Sequence, residues 1–162
     1  MDLVDQKQDE AIHNIIKVYL AQVNSALKIS NIICEHSGED DENILSGDHI
    51  ICGLIYRLMV PMTDEDMNES FNTADEILDG INDSSESDDE LDNDSDNESE
   101  ELECKKSDVK RKLIMNDCKC DICSKCRECM GGYESYETYD PLVTRFKDSI
   151  KDTCEKHNIY IN

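Results

Sequence analysis

Residues 118–129 read CKCDICSKCREC, which places five of the nine cysteines of this 162-residue chain within twelve positions. Steps with C-x-x-C spacing, such as Cys120 to Cys123 and Cys126 to Cys129, let neighbouring thiolates turn toward one metal ion. Tetrahedral zinc accepts cysteine and histidine donors in such an arrangement. The stretch therefore predicts a metal centre that organises the C-terminal part of the chain.

A second pair of donors, Cys154 and His157, follows with C-x-x-H spacing in a predicted helix. Residues three apart on a helix point to the same side, so the simplest zinc site combines this pair with Cys120 and Cys123. The remaining cysteines of this half of the chain can form a second set: Cys104, Cys118, Cys126 and Cys129.

The alternative is one local site made from Cys120, Cys123, Cys126 and Cys129, which leaves Cys154 in the core. We expect one or two structural zinc ions. An iron–sulfur cluster or a redox thiol cluster is the competing interpretation, because C-x-x-C-x-x-C partly resembles the ferredoxin run but lacks its x-x-x-Cys-Pro ending.

Charge divides the chain into three segments. Residues 1–62 carry ten acidic and four basic side chains, residues 63–103 carry nineteen acidic and no basic ones, and residues 104–162 carry ten acidic and twelve basic ones. Low hydrophobicity with high charge predicts disorder in the middle segment. The predicted fold class is mainly α, with a helical module (1–62), a disordered acidic linker (63–103) and a small metal-stabilised module (104–162) that ends in a helix.

The first part of the acidic linker, residues 63–82, keeps apolar side chains at helical spacing. Such a segment either folds into the groove of a partner or packs as a further helix on residues 1–60. The rest can occupy basic surfaces or act as a solubilising spacer. Three serines there have an acidic residue three positions later, which suits acid-directed kinases: Ser85, Ser87 and Ser95.

Apolar residues at three- and four-residue steps predict one helix over residues 9–35. Ser46 is a favourable N-cap for a second helix over 47–59, which Pro61 stops. These two helices carry more apolar surface than they can bury against each other, so a third element or a second protein must cover it. His36 in the following loop is interpreted as structural or solvated and not as functional, and Cys34 and Cys52 are interpreted as small buried side chains.

The segments IIKVYLAQVNSAL (15–27) and ILSGDHIICGLIYRL (44–58) resemble the long central helix, loop and third helix of a core histone. The resemblance covers residues 9–60 and implies a dimerising helical module. It departs from the family because the first helix is missing and because residues 37–43 hold four carboxylates in place of basic residues. Carboxylates facing phosphates repel, so DNA wrapping is not expected.

The composition reverses after the acidic segment, since KKSDVKRK (105–112) contains five bases. This strip is typical of a nuclear import signal, a phosphate contact or an intramolecular partner of the acidic segment. Its bases are Lys105, Lys106, Lys110, Arg111 and Lys112. Further along, residues 113–115 are expected to form a strand, Gly131 and Gly132 a turn, and Asp140 with Pro141 the start of the last helix.

The chain carries no Gly-rich phosphate loop, H-E-x-x-H motif or nucleophile elbow. Its acidic N-terminus is not typical of a secretory signal, so crowded cysteines in a reducing intracellular compartment, nuclear or virion, favour metal binding over disulfides. We expect a non-enzymatic adaptor or regulator of chromatin or transcription that binds basic or histone-like proteins, or forms oligomers through residues 9–60. The alternatives are a structural virion component of a large DNA virus and a redox protein.

Overall fold

The computed structural model of the protein describes residues 3–38, 44–84 and 109–162. That part of the chain is mainly helical, as the sequence predicts. Its elements, in chain order, are α1 (Leu3–Glu35), α2 (Gly47–Met59), α3 (Asp64–Ser84), β1 (Arg111–Lys112), α4 (Asp121–Gly132), α5 (Pro141–Lys156) and β2 (Ile159–Tyr160). None of these helices has both the length and the apolar character needed to cross a membrane.

Helix α1 starts six residues earlier than its apolar periodicity indicates, at Leu3. Its fully buried positions all lie in its C-terminal half, and they are Ala21, Ser25, Ala26, Ile29, Ser30 and Ile33. Residues 3–16 are exposed on every side. The helix therefore joins the core with one half only.

Helix α2 has the predicted bounds and the predicted cap. The Ser46 side chain accepts the His49 N–H, and the His49 side chain accepts the Ser46 N–H in return, which forms a capping box. Where α2 crosses α1, a Cβ atom on Gly53 would lie 2.0 Å from Ser30 Oγ and 2.4 Å from the Ala26 carbonyl oxygen. The glycine is required here because the two backbones approach so closely.

Helix α3 occupies the first half of the predicted acidic linker. It packs against α1, with ion pairs from Lys17 to Asp75 and from Lys28 to Glu69. Since higher numbers on α1 pair with lower numbers on α3, the two helices are antiparallel. Of the two alternatives for residues 63–82, the structure has the helix that packs on the N-terminal segment. The predicted disorder of the linker beyond Ser84 lies outside the described residues.

The C-terminal segment surrounds a two-stranded parallel pairing of β1 with β2, in which Arg111 faces Ile159. The sequence predicts a strand at residues 113–115. In the structure, β1 lies immediately before them, at Arg111–Lys112. Gly131 and Gly132 are the last residues of α4 and not a separate turn. Asp140 caps α5 as predicted, with its carboxylate accepting the Leu142 and Val143 N–H groups.

One hydrophobic core joins the two ends of the chain. Helix α2 packs against α1 on one side and against α4 and α5 on the other. The core includes Ile33 and Ile55 from the first segment and Cys126, Phe146 and Ile150 from the last. Charge composition divides the chain into separate segments. In the structure, residues of the first segment (1–62) and of the last (104–162) nevertheless bury apolar surface against each other.

Candidate metal centre

Four side chains converge where α1 ends and α4 begins. The ligand atoms of His36, Cys118, Cys120 and Cys123 all lie within 4.8 Å of one another. His36 Nδ1 is 3.2 Å from the Cys120 sulfur and 3.6 Å from the sulfurs of Cys118 and Cys123. Zinc–sulfur and zinc–nitrogen bonds of about 2.3 and 2.0 Å place tetrahedral donors roughly 3.5–3.8 Å apart. The four atoms can therefore surround a zinc ion after small side-chain adjustments.

Local backbone structure positions each donor. His36 follows the last residue of α1, and the chain then leaves the helix through Gly38, which has a φ of 67°. Cys120 is the N-cap of α4 and its sulfur accepts the Cys123 N–H at 3.4 Å. Because Cys123 lies in the first helical turn, its sulfur and that of the capping residue point to the same side. The short C-x-C step then brings in Cys118 from the preceding segment.

Two polar side chains hold the segment that precedes α4. The Asn116 amide donates to the Ile33 carbonyl oxygen at 2.9 Å and to the Cys123 sulfur at 3.6 Å, while its oxygen accepts the Cys118 N–H at 3.1 Å. The Arg127 guanidinium donates to the carbonyl oxygens of Asn116 and Cys118. Contacts of this kind orient ligands around a metal site.

The thiols of the cluster differ in acidity. The Cys123 N–H, donating to the Cys120 sulfur, is the main cause that lowers the pKa of Cys120 to about 6. Burial is the main cause that raises the pKa of Cys123 to about 12. One thiolate therefore forms near neutral pH without a metal, and metal binding must displace the proton from the buried thiol.

The remaining predicted donors lie elsewhere. Cys126, Cys129 and Cys154 are buried in the hydrophobic core, and the Cys126 thiol donates to the Cys52 carbonyl oxygen at 3.4 Å. His157 is the exposed C-cap of α5. Cys104 lies outside the described residues.

The helical geometry of α4 explains why its C-x-x-C-x-x-C run does not converge on one ion. At 1.5 Å rise per residue, Cys126 and Cys129 lie about 4.5 and 9 Å further along the axis than Cys123. They face α2 instead of the helix N-terminus. Among the described residues, the structure thus brings together three of the predicted cysteines and adds His36, which the sequence interpretation left out.

His36 carries no local sequence signal for metal binding. It lies 82 residues before Cys118, and Cys34, the one cysteine close to it in sequence, does not belong to the cluster. Burial of Cys52 is as predicted, whereas Cys34 is only half-buried, with its thiol 3.5 Å from the Ile44 carbonyl oxygen.

The basic strip has a structural contact in its described part. The Arg111 guanidinium donates to both carboxylate oxygens of Asp48, at 2.7 and 2.8 Å, and Asp48 also accepts the Ile114 N–H. Lys110 and Lys112 are exposed. Lys105 and Lys106, and the candidate phosphorylation sites Ser85, Ser87 and Ser95, lie outside the described residues.

Comparison with known proteins adds no relatives. No family model matches the chain, and no curated protein or solved structure matches it either.

Proposed function

We propose that the protein is a zinc-stabilised, non-enzymatic interaction protein, an adaptor that binds basic protein partners. The observation that carries the zinc proposal is the convergence of His36 with Cys118, Cys120 and Cys123. A set of three thiolates and one imidazole is a standard donor set for structural zinc. The described donors support one zinc ion.

The arrangement favours a structural over a catalytic metal. Four protein ligands fill the tetrahedral positions, so no position remains for a water molecule or a substrate. Catalytic zinc sites keep such a position open.

The placement of the site supports the same role. A metal bound there joins the end of α1 to the start of α4, two points separated by 82 residues of sequence. The acidic stretch between them is long and apolar-poor. A metal cross-link there would add to the stabilisation that the shared core supplies.

The adaptor part of the proposal is supported by charge. The chain has a formal net charge of −23, and residues 63–103 hold nineteen of its 39 carboxylates. Such a charge favours encounter with basic proteins and disfavours nucleic acid. Chromatin or transcription is the proposed setting, with the basic strip as a nuclear import signal.

Elemental analysis of the untagged protein, with an absorption spectrum of the same sample, tests the metal. We expect one zinc per chain and no visible band. Iron with a visible band would replace the proposal with an iron–sulfur or redox function, because thiolate-bound iron is coloured.

A matched pair of variants tests the site itself. Cys120→Ser removes a donor from the cluster and is expected to lower the bound zinc to well below one per chain. Cys34→Ser changes a half-buried thiol of α1 that is outside the cluster, and it should retain the metal. Equal zinc content in both variants would contradict this ligand set.

A further inference from the structure

The first two thirds of α1 present an exposed apolar face. Ile12, Ile15, Ile16 and Val23 have between 38% and 49% of their surface exposed. At 100° per residue these four positions span about 100° of the helix circumference. We call these four residues the α1 stripe.

The α1 stripe is continuous with the surface of α1 that α2 covers. Ala26, Ser30 and Ile33 follow at the same helical phase, and all three are buried. Ser30 Oγ lies 3.5 Å from the Ile50 carbonyl oxygen near the start of α2. The seam between the two helices thus begins in the C-terminal half of α1.

The seam ends where α2 ends. The Gln22 amide donates to the Arg57 carbonyl oxygen at 3.1 Å, which places the last turn of α2 beside this point of α1. Helix α2 has 13 residues, or about 20 Å, against about 50 Å for the 33 residues of α1. Tyr19 lies at the same helical phase, between Ile16 and Val23, and donates to the Leu142 carbonyl oxygen at 3.3 Å, so the start of α5 lies beside this part of the stripe. Toward the N-terminus, the apolar surface of α1 at Ile12, Ile15 and Ile16 extends beyond both α2 and this contact.

Helix α3 does not cover the stripe, because it lies on another side of α1. Lys17, which pairs with Asp75 of α3, is about 140° around the helix from Ile12. The chain's own residues 85–108 offer Leu91 and Leu102 as their only large apolar side chains besides Cys104. They are therefore poorly suited to fill this surface.

We propose that the α1 stripe binds an amphipathic helix of a partner protein, aligned with α2 along α1 and flanked by basic residues. The apolar face supplies the contact area, since helices bind such surfaces through residues at i, i+3, i+4 and i+7. From Ile12 to Val23 the stripe is about 17 Å long, which matches roughly three turns of the bound helix. The proposal rests on the adaptor function and names its binding surface.

Charge determines the class of partner. Asp5, Asp9 and Glu10 lie within two turns before Ile12, where Lys7 is the one basic residue of positions 3–12, and Lys17 after Ile16 is paired with Asp75 of α3. A second copy of the chain carries the same net charge of −23, so the two copies repel each other as they approach. A basic helix gains attraction where a second copy meets repulsion.

The test is a titration of the zinc-loaded full chain with a fluorescent synthetic peptide. The peptide has about 18 residues, with leucine at i, i+3, i+4 and i+7 and lysine elsewhere. A scrambled peptide of the same composition has no apolar face and measures charge attraction alone. We expect the amphipathic peptide to bind at least about tenfold more tightly, since each buried aliphatic contact contributes to affinity.

Two variants locate the binding surface. Ile12→Ser with Ile16→Ser should weaken binding of the amphipathic peptide by about tenfold or more. Tyr139→Ser removes a 99% exposed apolar side chain outside the stripe and should leave binding unchanged. Circular dichroism and zinc content of each variant show whether the fold and the metal centre are intact.

Three outcomes overturn the proposal. These are equal binding of the two peptides, binding that is insensitive to the double substitution, and a dimer in sedimentation that the double substitution dissociates. The last result would assign the stripe to a second copy of the chain. Because zinc content is measured on the same samples, failure of peptide binding in a zinc-loaded chain is distinguishable from failure of the metal site.

Discussion

His36 supplies the nitrogen donor of a group in which the other three donors are sulfur. Its side chain is placed by the end of α1, and Asn116 fixes the opposite side of the site by donating to the Ile33 carbonyl oxygen one turn earlier on α1. Residues distant in sequence thus form one centre because two helix ends meet.

We predict that His36→Ala lowers the affinity for zinc and the thermal stability, because three thiolates then lack their fourth protein ligand. His157→Ala is the matched control, since His157 is exposed and outside the cluster. Competition with a chromophoric chelator measures both affinities. A loss of zinc in His157→Ala with retention in His36→Ala would favour the C-x-x-H pairing over the structure's arrangement.

Gly53 lies where α2 crosses α1, and the two helices can approach this closely only because Gly53 has no side chain. We predict that Gly53→Ala destabilises the protein by about 2–4 kcal/mol, because the added methyl overlaps Ser30 Oγ and the Ala26 carbonyl oxygen. Gly131→Ala is the control, since a Cβ there meets no atom within 4 Å. Urea unfolding measures the stability of both variants. Similar unfolding midpoints for Gly53→Ala and Gly131→Ala would contradict the close crossing of α1 and α2.

At the scale of elements, the pairing of Asp48 with Arg111 attaches the first turn of α2 to β1. Asp48 is buried, which by itself raises its pKa, but hydrogen bonds from Arg111 and the Ile114 N–H lower the pKa below its ordinary value. The folded state therefore favours the carboxylate. The guanidinium is partly exposed, so solvent screens the ion pair.

We predict that Asp48→Asn lowers the free energy of unfolding by about 1–2 kcal/mol at neutral pH. A carboxylate whose folded pKa is depressed stabilises the protein above its unfolded pKa of about 3.9, and this contribution disappears as pH falls through the folded pKa. The difference between the two proteins should therefore shrink below about pH 4.

Asp152→Asn removes the same charge from an exposed position of α5 and should change stability by less than about 0.5 kcal/mol. Urea titrations at several pH values compare the three proteins. A difference between wild type and Asp48→Asn that stays constant into acid would show that the carboxylate's charge is not the stabilising property.

At the scale of the whole molecule, the shared core predicts cooperative unfolding. Ile33 and Ile55 pack in the same cluster as Cys126 and Phe146, so neither end of the described chain can lose its packing alone. The candidate metal centre lies between the same two ends. Removal of the metal should therefore destabilise the N-terminal helices as well as the Cys-rich segment.

We predict that a zinc chelator lowers the melting temperature and that the protein still melts in one transition. Far-UV circular dichroism follows all helices. Because the chain has no tryptophan, near-UV circular dichroism follows its tyrosines, which include the buried Tyr133 of the C-terminal segment. Chelator should have no further effect on Cys120→Ser. Separate transitions in the two signals would mean that the segments fold independently.

Local sequence patterns predict much of the helical structure. Ser46 and Asp140 cap α2 and α5 at the expected residues, because a capping side chain bonds to backbone N–H groups only two or three positions away. The start of α1 was less predictable, since residues 3–8 form helix without an apolar face in contact with the core. The C-x-x-C spacing likewise predicts that Cys120 and Cys123 share a site.

The sequence by itself therefore determined the helical class and the capped helices, and it predicted that Cys120 and Cys123 of the first C-x-x-C step belong to one cluster. The tertiary structure decided which further side chains join this cluster, because a candidate donor such as His36 is brought there by proximity in space across 82 residues of chain. It also decided that Cys126, Cys129 and Cys154 belong to the core, since their burial depends on α2, which packs against α4 and α5. The spacing of cysteines and histidines along the chain indicates which side chains can lie next to each other. Tertiary packing determines which of them come together in one cluster.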